Sequence, residues 1–110
     1  MLPKKKRVTK NVFQSIIKER KTLSTTLFLF HFKKNDTPQY AFVAPKNIFK
    51  KAVERNKYRR IGYNVLIKIP PINGSGIFVY KKPAYTTNQK ETREDIVYIL
   101  KKAGVINKTL

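Results

Sequence analysis

The sequence contains no cysteine and no tryptophan, and His31 is its only histidine. Without thiols it can build neither a disulfide framework nor a thiolate metal site, which is compatible with a reducing cytosol. A lone histidine excludes the paired imidazoles of acid–base or metal-assisted hydrolysis. Acid is also scarce: 6 Asp plus Glu stand against 25 Lys plus Arg, for a formal charge of +19 on 110 residues. Three of those acids, Glu91, Glu94 and Asp95, fall in the first turns of a C-terminal helix, where capping and the helix dipole account for them. The others are scattered, so a stand-alone nuclease finds no carboxylate cluster here. No apolar run approaches the roughly 18 residues of a membrane span, and no signal-peptide or lipidation pattern anchors the chain. No membrane partner is expected.

What is present is positive charge, spread from the N-terminus through residue 102. Self-repulsion on this scale destabilises a compact state unless a comparably negative partner offsets it, and nucleic acid is that partner. The densest segment is Ala52-Val53-Glu54-Arg55-Asn56-Lys57-Tyr58-Arg59-Arg60. At about 100° per residue, Lys51, Arg55 and Arg59 form one solvent-facing ridge, while Phe49, Ala52 and Val53 turn toward a core. Guanidinium forks hold phosphate oxygens bidentately, and an interleaved asparagine can bond a phosphate, a 2′-hydroxyl, a base edge or a metal-bound water. A merely solvated helix face would show mixed i,i+4 charge pairs, which a single Glu54 cannot supply.

The length suits one domain, and 41% hydrophobic residues with seven Phe and six Tyr suffice for a core. Residues 1–9 form a flexible basic arm facing RNA, and residues 10–106 a single domain. Thr9 caps a helix over 10–20 in which Val12, Phe13, Ile16 and Ile17 share a face. Thr25 to Phe32 forms a strand with Phe28, Phe30 and Phe32 on one face and Leu27, Leu29 and His31 on the other. Helices must cover one of these largely apolar faces; the other is buried too or kept for a ligand. After the Asn35-Asp36-Thr37-Pro38 turn, Tyr40 to Ala44 pairs back on the first strand as an antiparallel hairpin. The basic helix runs from Ile48 to Ile67, with Gly62 weakening its middle. Asn73-Gly74-Ser75-Gly76 makes a turn before a central strand, Ile77 to Lys81. Asn88 with Glu91 opens a last helix that carries Ile96, Val97, Leu100 and Ala103 on one face and ends at Gly104. The order is αββαβα, an α+β fold: a two-layer α/β sandwich with a small, mostly antiparallel sheet.

Met1-Leu2-Pro3-Lys4-Lys5, Phe13-Gln14, Ala44-Pro45-Lys46, the Arg55-Asn56-Lys57 helix, Ile77-Phe78-Val79-Tyr80 and Lys101-Lys102-Ala103-Gly104 follow one another in an order that resembles the protein subunit of bacterial ribonuclease P. The likeness covers nearly the whole chain, and its most specific part is the Arg-Asn-basic helix. The sequence departs from the family at Lys46-Asn47, where two lysines are usual, and at Lys57, where the signature has arginine. Residues 62–75 resemble it poorly.

The resemblance implies a ribosomal protein S5 domain 2-like fold whose one parallel strand pair is joined by a left-handed βαβ crossover, against the usual hand. It implies a cytoplasmic protein, monomeric within a 1:1 ribonucleoprotein, bound to ribonuclease P RNA and to precursor tRNA. There the RNA, with Mg2+ bound mainly by itself, removes the 5′ leader endonucleolytically, and the protein contributes no catalytic residue. Carried over by position, Lys46, Lys51, Arg55, Asn56, Lys57, Arg59 and Arg60 match the surface that binds the RNA subunit. Asn56 also falls where the family motif is linked to bound metal. Phe13, Ile17, Leu29 and His31 match the cleft for the single-stranded leader, where unstacked bases lie against apolar and aromatic groups. His31 stands where an aromatic ring is common, so stacking is expected of it. A ribosomal or other structural RNA-binding protein fits the composition equally well, and only the Arg-Asn helix in its order of elements argues against that alternative.

Overall fold

A computed structural model of the protein describes residues 8–34, 36 and 38–106. Along the chain it forms α1 (Lys10–Glu19), β1 (Lys21–Ser24), β2 (Phe28–Lys34), β3 (Tyr40–Val43), α2 (Ala52–Lys68), β4 (Gly74–Tyr80) and α3 (Gln89–Ala103), with a 3-10 turn at Lys82–Thr86. The fold is α+β. Its four-stranded mixed sheet has the order β1-β2-β4-β3, with β2 antiparallel to β1 and β4, and β3 parallel to β4. Most of the expected basic arm lies outside the described residues.

Strand alternation sorts the sheet into two faces. Phe28, Phe30, Tyr40, Phe42, Phe78 and Tyr80 fall on one and are buried under Val65 and Leu66 of α2 and Ile96, Ile99 and Leu100 of α3. Aromatic rings dominate this core: Phe78 lies 4.3 Å from Phe30 and 4.7 Å from Phe42 between centroids. Leu29, His31, Lys33, Ile77, Val79, Ala41 and Val43 alternate onto the opposite face. There α1 crosses the sheet. Ile16 and Ile77 are fully buried yet stand apart from the main core, and Lys33 Nζ donates to Ser15 Oγ at 2.6 Å.

The helix ends follow their local chemistry. Thr9 Oγ1 accepts from the Val12 N–H at 3.3 Å and Asn88 Oδ1 from the Glu91 N–H at 2.8 Å, the caps expected at both positions. Gly104 ends α3 with φ 74°, in the left-handed region that a glycine occupies at little cost.

Three expectations are corrected. The Tyr40 strand does not pair back on the Phe28 strand, because β4 sits between them and β3 joins β4 in parallel through α2. The hairpin partner of β2 is β1, whose Lys-Thr-Leu-Ser sequence buries little and so carries no strand pattern. The basic helix begins at Ala52, since Pro45 to Phe49 forms a separate turn in which the Pro45 carbonyl accepts from the Ile48 and Phe49 N–H groups. Finally, Gly74-Ser75-Gly76 is strand and not turn, pairing with Lys34, Lys33 and Phe32.

Candidate nucleic-acid interface

Short α1 leaves much of its sheet face open. Ile16 and Ser15 turn inward, which places Phe13 and Ile17 along the flank of the helix, 41% and 39% exposed. Beside them on the sheet lie half-buried Leu29 and His31, so the four residues assigned to a leader cleft border one surface. Sequence reasoning missed how this surface continues. Val79 pairs with Leu29 on one side and Val43 on the other, and Val43 is 37% exposed. Those residues alternate correctly in the sequence, but only the strand order brings them beside β2. The result is an apolar trough, with Lys33 on the same face of β2.

The basic helix lies on the other side of the sheet. Its inward face is Tyr58, Gly62, Val65, Leu66 and Ile69, which sets Val53 about half a turn away. Val53 is accordingly 78% exposed, and Ala52 is exposed as well, contrary to the inward orientation expected of them. Phe49 is buried as expected. The ridge changes too. Arg55 is half-buried, and its Nη1 donates to the carbonyls of Phe49 at 2.9 Å and Lys50 at 3.0 Å. Arg59 is also half-buried and donates to Asn56 Oδ1. The fully outward groups are Lys51, Asn56, Lys57 and Arg60.

Side chains around the 3-10 turn hold the start of α2 in place. Tyr58 donates to the Tyr85 carbonyl at 3.0 Å, Tyr80 to the Tyr58 carbonyl at 2.7 Å, and Tyr85 to Glu54 Oε2 at 2.5 Å. The Tyr85 hydroxyl holds the Glu54 carboxyl below the usual carboxylate range, and the same bond raises Tyr85. Burial raises Tyr80. A tilted ring contact between Phe49 and Tyr58, at 4.5 Å between centroids, completes the anchor. Such a bracing keeps the basic groups in fixed relative positions, so less order is lost when they engage a polyanion.

A profile of the Ribonuclease P family matches residues 2–104. The chain belongs to the ribonuclease P protein family. The fold agrees: the Staphylococcus aureus RNase P protein superposes with a TM-score of 0.80 at 24% identity, covering 93% of this chain and 98% of that one. The Thermotoga maritima RNase P protein gives 0.77 at 24% identity, with 87% and 96% covered. A search of curated protein sequences finds no match.

The one position expected to touch metal is Asn56. Asn56 Oδ1 already accepts from Arg59, whose guanidinium repels a cation, and among the described residues no group of three or more His, Asp or Glu could hold a metal. The altered ridge also changes the expected mutational pattern. Arg60→Ala and Lys57→Ala should each lower the slope of log K against log salt for RNase P RNA by about 1 without moving the melting temperature. Arg55→Ala should additionally destabilise the domain by about 1 kcal/mol, because two carbonyls lose their donor. Equal melting temperatures for all three variants would show that the Arg55 bonds contribute nothing.

Proposed function

We propose that this chain works in the cytoplasm as the protein half of a 1:1 ribonucleoprotein, binding ribonuclease P RNA through α2 and the 5′ leader of precursor tRNA in the trough beside α1. The observation that carries this reading is the separation of the two surfaces. Exposed Phe13 and Ile17 border half-buried Leu29 and His31 on one face of the sheet, while Lys51, Asn56, Lys57 and Arg60 project from a helix on the other. A single strand can lie against the first through its bases, and phosphates can meet the second. Two surfaces of such different chemistry suit a protein that bridges two RNAs.

In this reading magnesium, held by the RNA subunit, would supply the hydrolytic chemistry at the phosphodiester before the mature 5′ end. The chain positions the leader. Apolar groups of the trough receive unstacked bases, Lys33 tracks phosphates, and the braced α2 docks the assembly on the RNA subunit. No side chain of the protein takes or gives a proton in the reaction.

Reconstitution with a bacterial ribonuclease P RNA at low magnesium tests the reading. Added protein is expected to raise cleavage and to bind precursor tRNA more tightly than mature tRNA. A structural RNA-binding protein would bind RNA without either effect. His31→Phe should keep leader affinity and turnover, since a ring suffices for stacking. A His31→Phe variant that binds normally but does not cleave would give the histidine a chemical role and overturn the assignment of chemistry to the RNA.

A further inference from the structure

Between α2 and α3 runs a groove of about 480 Å3 that is separate from the trough and extends the outward face of α2, at Lys57 and Arg60, toward α3. Lys57, Arg60 and Lys68 of α2 line it together with Gln89 and Arg93 of α3. Ile61, Val65 and Ile69 add apolar surface, Asn64 adds an amide, and no acidic residue lines it. Four cations around one concavity repel one another, so the arrangement suits an anion that enters between them. The volume falls within the roughly 300–1,000 Å3 typical of ligand sites, which is room for a nucleotide.

The lining chemistry matches a nucleotide group by group. Apolar side chains can take the face of a base, the amides of Asn64 and Gln89 can take its hydrogen-bonding edge, and the cations can take phosphates on either side. A base in a duplex cannot reach such a groove, because its faces are stacked and its edge is paired. The leader is a poor candidate, since its trough lies on the far side of the sheet. We propose that the groove between α2 and α3 holds an unpaired nucleotide of the RNase P RNA with its flanking phosphates, and that Arg93 carries a phosphate contact from outside the basic helix. This rests on the functional reading above.

The test uses the full chain and RNase P RNA, with binding measured over a salt series. Arg93→Ala and Lys68→Ala are each expected to weaken binding about tenfold and to lower the salt slope by about 1. Lys90→Ala removes the same charge from an exposed position on α3 outside the groove and should change affinity less than twofold. Because the chain lacks cysteine, Gln89→Cys can carry a single photo-crosslinker, which should attach to a loop or bulge nucleotide of the RNA subunit. Equal losses for Arg93→Ala, Lys68→Ala and Lys90→Ala would overturn the groove and leave only a net-charge effect. Crosslinks confined to duplex segments or to a precursor leader would overturn it while leaving the functional reading intact. A wild-type chain that does not bind RNase P RNA would overturn both.

Discussion

Gly76→Ala is expected to destabilise the domain by about 1–3 kcal/mol, the range of overpacked cores. A Cβ there would lie 2.2 and 2.4 Å from ring carbons of Phe30 and 3.1 Å from the His31 carbonyl oxygen. Phe30 cannot swing aside. It is fully buried and held between Phe78 at 4.3 Å, Phe32 at 5.4 Å and Tyr40 at 6.4 Å between centroids. Removing a strand glycine would otherwise gain about 0.5–1 kcal/mol in chain entropy, too little to reverse the sign. Gly62→Ala sets up the same contest on α2, where a Cβ would meet the Phe42 ring at 2.4 Å against a helix-propensity gain of about 1 kcal/mol. Its net effect should be smaller, because Phe42 comes from edge strand β3. Denaturant midpoints for both variants measure the difference. A Gly76→Ala midpoint equal to that of the wild type would mean that the Phe30 ring relocates without loss.

Phe13→Ala should reduce affinity for precursor tRNA in the reconstituted holoenzyme tenfold or more, from the roughly 1–3 kcal/mol that one base stacked on an aromatic side chain supplies. Affinity for mature tRNA and for the RNA subunit should stay nearly unchanged. Truncating a core phenylalanine costs about 3–5 kcal/mol of stability and would confuse the measurement, but Phe13 is 41% exposed on the flank of α1. A thermal melt close to that of the wild type is therefore expected alongside the binding loss. If mature and precursor tRNA lose affinity equally, the ring does not touch the leader.

Much of this molecule was legible before any coordinates. Charge of one sign pointed to a polyanionic partner, in keeping with the ribonuclease P protein family. The caps at Thr9, Asn88 and Gly104 followed from side chains that satisfy their own helix ends, a strictly local matter. Phe28 and Phe30 shared the expected face because strand alternation is local too. Pairing is not local. Nothing in Tyr40–Val43 states that its neighbour is β4 and not β2, and the nearly polar β1 becomes a strand only because β2 offers it an edge. Gly76 looked like turn chemistry when it was the space for a phenylalanine ring from another strand.

The site divides in the same way. Phe13, Ile17, Leu29 and His31 could be named from order and resemblance, but Val43 and Val79 join them only through the register of a parallel pair. On α2 the helical period was read correctly and its phase was not. Which residues turn inward is set by where Gly62 meets Phe42 and where Val65 and Leu66 meet the sheet, not by the helix itself. That phase turns Arg55 back onto the Phe49 and Lys50 carbonyls and leaves Lys57 and Arg60 outward. Sequence alone determined the chemistry this protein presents; the tertiary structure decided which groups are free to present it, because burial and pairing depend on contacts between residues far apart in the chain.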